Sequence, residues 1–186
     1  MKTDKGIVEN AKRFATRAHS GQFLRNRAKD PFITHPERVV ALVEQSGGTA
    51  GEIAAAWLHD VVEDTQVTLD DIRKKFGDAI TEMVDGLTDP PHFAGNPDKI
   101  RKAWQAERVI SKSASVKRVK IADQTANSYT IGFDPPVGYN PQERLDYLEG
   151  ARSIVLNCGG ISKKLDKIFE KTYQASLHVI RAEMKK

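Results

Sequence analysis

The stretch Ile53-Ala-Ala-Ala-Trp57-Leu58-His59-Asp60-Val61-Val62-Glu63-Asp64 carries an apolar run straight into four titratable groups. Such a run predicts one buried helix over 53–64. Carboxylates and an imidazole are costly in that setting unless they pair with one another or bind a metal. His59 and Glu63 stand four apart, as do Asp60 and Asp64. On a continuous helix each pair would stack one above the other on neighbouring faces. The simplest reading is a site built for a metal ion and a water.

The rest of the chain has the same helical period. Residues 6–20 place Ile7, Ala11, Phe14, Ala15 and Ala18 on one face. A loop at 21–34 holds Gly21, Pro31 and the basic residues Arg25, Arg27 and Lys29. His35-Pro36 opens the next helix, with Pro36 read at the favoured first position, and Gly47-Gly48 ends it. Thr68-Leu-Asp-Asp71 is a capped start, Gly77 breaks the helix after Phe76, and Ile80, Met83, Val84 and Leu87 resume the pattern. Residues 88–97 form an irregular loop, followed by helices at 98–113 and 115–130 and a second loop at 132–141. Asn140-Pro141-Gln-Glu143 supplies the cap, proline and acid of another start, and helices at 142–157 and 162–184 follow. No segment alternates like a strand, so the expected fold is all-α, a helical bundle read as a single domain over 1–186.

Hydrophobic residues make up 39% of the 186 and charged residues 29%, enough for a core and a solvated surface. No apolar stretch approaches the ~18 residues that span a bilayer. The segment Met1–Gly6 lacks the apolar core of a signal peptide. The lone Cys158 excludes an intramolecular disulfide, reads as a buried packing residue and suits a reducing cytoplasm. The net charge of +4 is spread along helices rather than gathered into a basic stripe, which argues against nucleic acid. The same charge suits a polyanionic small substrate, which a positive field steers inward. A homodimer is left open.

His35, His59, Asp60 and Asp123 are the candidate metal ligands. His35 precedes a proline at a helix start, a rigid place for an imidazole. Asp123 shares a face with the apolar positions 119, 122 and 126, and Asn127 follows one turn on. Two imidazoles and two carboxylates suit Mn²⁺, Fe²⁺ or Zn²⁺. Glu63 and Asp64 are placed to take a proton from water or to orient it. His19 and His92 read as structural or exposed, and His178 as a surface residue.

Several segments now add up to a resemblance. They are Ala18-His19-Ser-Gly21-Gln22, Pro31-Phe32-Ile33-Thr34-His35-Pro36, Ala54 to Thr65, Phe76-Gly77, Val84-Asp85-Gly86-Leu87-Thr88 and Lys120-Ile-Ala122-Asp123-Gln-Thr-Ala-Asn127. In this order they make the chain resemble the HD-type phosphohydrolases. Within that group it is similar to the (p)ppGpp hydrolase domain of the stringent-response enzymes, and most to the stand-alone small alarmone hydrolases. The resemblance implies an all-helical fold, usually Mn²⁺-bound, that removes pyrophosphate from the 3′ position of (p)ppGpp to give GDP or GTP. It implies His35, His59, Asp60 and Asp123 as ligands, Glu63 and Asp64 as activators of water, and Asn127 as a group that positions nucleotide or water. It implies an arginine against the guanine, with Arg25 the choice and Arg27 the alternative, and it places Arg144 and Tyr147 near the phosphates.

The chain also departs from that pattern. Phe23-Leu24 lengthens the approach to Arg25 by one residue, Lys29-Asp30 stands where a glycine commonly precedes the proline, and Arg144 and Tyr147 are three apart rather than four. These departures motivate a second reading, an HD nucleotidase or phosphatase acting on another 2′- or 3′-phosphorylated nucleotide. A third reading is a non-catalytic nucleotide-binding module, which the full set of ligand and acid candidates argues against.

Overall fold

The computed structural model describes residues 4–185; residues 1–3, part of the segment read for a signal peptide, lie outside it. Ten α-helices run through the described residues, with one isolated antiparallel bridge between Phe23 and Pro31. They are α1 Asp4–Ala18, α2 Thr34–Gln45, α3 Ala50–Leu58, α4 Val61–Asp64, α5 Leu69–Phe76, α6 Asp78–Leu87, α7 Asp98–Val109, α8 Ala114–Phe133, α9 Pro141–Asn157 and α10 Lys163–Glu183. The all-α class follows. None of these helices is long and apolar enough to cross a membrane.

Local chemistry sets the boundaries. Thr49, Thr68 and Asn140 each close a capping box, in which side chain and backbone at the helix start satisfy each other's orphan donors. Gly77 sits at φ +86°, a conformation that lets α5 stop and α6 begin without a linker. α8 is the central element and packs against α2, α3, α6, α9 and α10. Its buried Val119, Ile121, Ala122 and Ala126 join one core with Ala54–Leu58 of α3 and Leu148 and Ile154 of α9. Cys158 is buried in that core, where burial pushes its thiol up to about 12.

Three local expectations are corrected. The helix expected over 53–64 breaks. α3 ends at Leu58, Asp60 takes φ −99° and ψ −6°, and α4 restarts at Val61. The apolar run ends where polar side chains must turn into a cleft, so the backbone leaves the ideal spiral at that point. Pro36 lies third in α2 rather than first, still within the turn whose N–H groups have no helical partner. Finally, α8 continues through Gly132 to Phe133. A Cβ at Gly132 would lie 2.2 Å from Ser176 Oγ of α10, so the glycine serves helix contact there rather than chain reversal.

Candidate metal centre and nucleotide cleft

His35 is presented by the first turn of α2, His59 and Asp60 by the break between α3 and α4, and Asp123 by the middle of α8. Their donor atoms converge. His35 Nε2 lies 3.2 Å from His59 Nε2 and 3.4 Å from Asp123 Oδ1. Asp60 Oδ2 lies 3.1 Å from His59 Nε2 and 3.5 Å from His35 Nε2. Donor atoms of His35, His59 and Asp123 all fall within 4.8 Å of one another.

Their chemistry fits a cation. His59 Nδ1 donates to the Ala56 carbonyl at 2.8 Å, which leaves the Nε2 lone pair turned toward His35. Two facing imidazole nitrogens between two carboxylates repel unless a proton or a metal ion lies among them. Ligand separations of 3.1–3.8 Å match donors about 2.1 Å from a shared ion. Burial alone would hold His59 uncharged, but the carboxylates of Asp60 and Asp123 outweigh it and raise the imidazole to about 9. Both carboxyls are held below their usual range. Burial opposes that shift, but His59 and His35 overcome it at Asp60, and Lys120 with the same imidazoles does so at Asp123.

Glu63 and Asp64 are exposed at the mouth rather than facing the core. The break after Leu58 swings them onto the rim. Partial burial and the nearby negative charge of Asp60 push Glu63 up to about 7 and Asp64 up to about 6. The Asp89 backbone N–H donates to Glu63 Oε1 at 2.5 Å. Gln22 Nε2 donates to the Asp64 carbonyl at 2.7 Å, and Gln22 Oε1 accepts from buried His19 Nδ1, also at 2.7 Å. The 88–97 loop is thus tied to one acid and the 19–22 segment to the other.

A cleft of about 350 Å³ opens beside the four ligand candidates, and its walls include Arg25, Asn127 and Tyr147 but not Arg27 or Arg144. Arg25 is held by two links between its loop and the segment after α8. Val137 N donates to the Arg25 carbonyl at 2.8 Å, and Asn26 Nδ2 donates to Asp134 at 2.6 Å. Asn127 Nδ2 donates to Asp123 Oδ1 at 2.6 Å. Arg144 is corrected. Its buried guanidinium donates to the carbonyls of Ile131 and Gly132, both at 2.9 Å, and to Glu183 at 2.5 Å. Those bonds cap the end of α8 and engage all three guanidinium nitrogens. His178 is exposed and far along α10, and His92 packs against Phe93 and Trp104.

The structure adds cleft residues that the sequence reading did not single out: Asp98, Arg101, Lys102, Gln105, Lys120, Gln124 and Tyr139. Most come from α7. Its basic residues look like an ordinary solvated face in sequence, and only its packing against α9 turns Lys102 inward. A second cleft, about 790 Å³, adjoins the first and shares Glu63, Asp64 and Arg101 with it.

A model of the HD domain family matches residues 11–131, which hold all four ligand candidates. The chain belongs to the HD domain family. Over 175 residues it is 31% identical to the Xenopus tropicalis guanosine-3′,5′-bis(diphosphate) 3′-pyrophosphohydrolase MESH1, covering 91% of this chain and 96% of that one. The human protein of the same name is 30% identical over 163 residues, 87% of this chain and 89% of that one. A GTP pyrophosphokinase of Streptomyces coelicolor is 36% identical over 134 residues, 68% of this chain but 15% of that much longer one. In three dimensions this HD domain protein matches a metazoan ortholog of SpoT, described as hydrolysing ppGpp, with a TM-score of 0.84. The two are 25% identical, and the match covers 90% of this chain and 94% of that one.

Proposed function

We propose that this protein hydrolyses the 3′-pyrophosphate of guanosine tetra- and pentaphosphate, giving GDP or GTP and pyrophosphate, with residues 1–186 acting as one hydrolase domain in the cytoplasm. The observation that carries the reading is the convergence of His35, His59, Asp60 and Asp123 beside two acids, in a cleft whose walls also carry Arg25, Arg101 and Lys120. Relatives that share the chain almost end to end and are named for this reaction support the substrate class.

His35, His59, Asp60 and Asp123 would hold a divalent cation, read as Mn²⁺, which lowers the pKa of a water and polarises a phosphoryl oxygen. The water oxygen bonds to the phosphorus carried on the 3′ oxygen, the P–O3′ bond breaks, and the 3′ oxygen regains a proton. Glu63, raised toward neutrality and steadied by the Asp89 amide, takes the proton from water, and Asp64 orients it. Arg25 lies against the guanine, and Asn127 and Tyr147 line the nucleotide's path. Arg101 and Lys120 offset the phosphate charge.

Product analysis with ppGpp tests the reading, with and without Mn²⁺ and beside Asp60→Ala. The expected result is metal-dependent release of GDP and pyrophosphate, absent in the variant. No release, together with turnover of another 2′- or 3′-phosphorylated nucleotide, would replace the substrate. ppGpp binding without any product would make the protein a binding module.

A further inference from the structure

Lys102 is an unusual residue to find inside this fold. It is only 5% exposed on α7, and α9 closes over its stem so tightly that a Cβ at Gly150 would lie 2.5 Å from Lys102 Cβ. Its ammonium donates to Gln124 Oε1 at 2.8 Å and stands 4.2 Å from the centre of the Tyr147 ring. A buried cation is costly, and here its hydrogen-bond partner is a neutral amide. Burial lowers its pKa to about 8.

The partner explains the placement. Gln124 is 1% exposed, and its Nε2 donates to Asp123 Oδ2 at 2.7 Å. An ammonium group can only donate, so the amide must turn its oxygen to Lys102 and its nitrogen to Asp123. With the lysine gone, Gln124 Oε1 loses its buried donor, and the orientation of the amide rests on its single bond to Asp123 Oδ2. Lys120 Nζ approaches the same Oδ2 at 3.3 Å. Oδ2 is thus held on the far side, while Oδ1 faces His35 at 3.4 Å and His59 at 3.8 Å.

We propose that Lys102 is a positioning residue for the metal centre, acting through Gln124 to fix the Asp123 carboxylate with Oδ1 turned to the two histidines. The proposal rests on the reading of these residues as a metal site. Lys102 touches neither the ion nor, on this account, the substrate. Its effect reaches the site through the polarity of one buried amide.

The test uses the full chain and reads Mn²⁺ binding directly by calorimetry without nucleotide, followed by ppGpp kinetics at saturating Mn²⁺. Lys102→Met keeps the length and apolar stem of the side chain and removes the charge. Gln124→Met removes the relay. Each is expected to weaken Mn²⁺ binding about 10–100-fold, the usual range for a group that orients a ligand. The double variant is expected to bind no more weakly than the poorer single variant, because the two side chains act in series. KM for ppGpp is expected to stay within about twofold, since no uniform substrate contact is removed. The melting temperature of the metal-free protein reports folding. Should Lys102→Met fail to fold, Gln124→Glu carries the test, because it sets a like charge against Asp123 and is expected to show the same loss of Mn²⁺.

Wild-type Mn²⁺ affinity in folded Lys102→Met or Gln124→Glu would overturn the proposal, as would additive losses in the double variant. Intact Mn²⁺ affinity with a raised KM would overturn it in favour of a direct phosphate contact. Wild-type protein that binds Mn²⁺ but leaves ppGpp intact sinks the substrate reading alone. Wild-type protein that binds no Mn²⁺ sinks both.

Discussion

The Nε2 atoms of His35 and His59 face each other at 3.2 Å across the junction of α2 with the α3–α4 break. Two lone pairs at that distance require a proton or a metal ion between or beside them, and the two compete for the place. His59, raised to about 9 by the neighbouring carboxylates against the effect of burial, holds its proton at neutral pH when metal is absent. Metal must displace that proton, so observed Mn²⁺ affinity should rise about tenfold per pH unit below 9 and level off above it. Calorimetry between pH 6.5 and 8.5, in buffers of different ionisation enthalpy, should count close to one proton released per ion. Affinity that is flat across this range would rule out the competition.

Glu63 accepts the Asp89 amide at 2.5 Å while sitting at the mouth of the cleft. Glu63→Gln keeps an acceptor for that amide and removes the proposed base. kcat should drop about 10²–10⁴-fold, the usual contribution of a general base. Mn²⁺ affinity should stay near the wild-type value. A variant with undiminished kcat would shift the role to Asp64.

Arg25 and Arg27 are separated by the geometry of one loop. Asn26 is buried and donates to both Asp30 and Asp134, which ties the loop down, and Arg25 alone of the pair lines the cleft. Arg25→Ala should raise KM for ppGpp about tenfold, as expected for loss of a guanidinium stacked on a base. Arg27→Ala should leave KM unchanged. Steady-state kinetics on the two variants decides between them, and the reverse ranking would refute the assignment.

Arg144 should behave as a structural residue. Its bonds to the Ile131 and Gly132 carbonyls close the end of α8. Arg144→Leu would leave those buried acceptors unpaired at about 1–3 kcal/mol. For a chain of this size that lowers the melting temperature by about 2–4 °C per kcal/mol. KM measured below the melting range should not change. A raised KM with an unchanged melting temperature would return Arg144 to the phosphate site.

Much of this protein is written locally in its sequence. The caps at Thr68 and Asn140 depend on residues three positions apart, and the helical period of Ile80, Met83, Val84 and Leu87 depends on a single turn, so both can be read along the chain. His59-Asp60 is legible for the same reason, since charge inside an apolar run needs a partner wherever the run is buried. His35 could be nominated because it precedes a proline at a helix start, and Asp123 because it shares a helix face with apolar positions.

Tertiary packing decided the rest. Which basic residues serve the cleft depends on how α7 rests on α9 and how the loop before α2 is tied to the segment after α8. Spacing along one helix carries no record of either. Lys102 therefore looks like any solvated lysine in sequence and turns out buried, while Arg144, nominated for phosphate, is consumed at the end of α8. The backbone break after Leu58 and the continuation of α8 through Gly132 are likewise set by what packs opposite them: a polar cleft in the first case and Ser176 of α10 in the second. Helix formation is a nearest-neighbour property, whereas the inventory of a site is fixed only when distant helices choose which faces to bury.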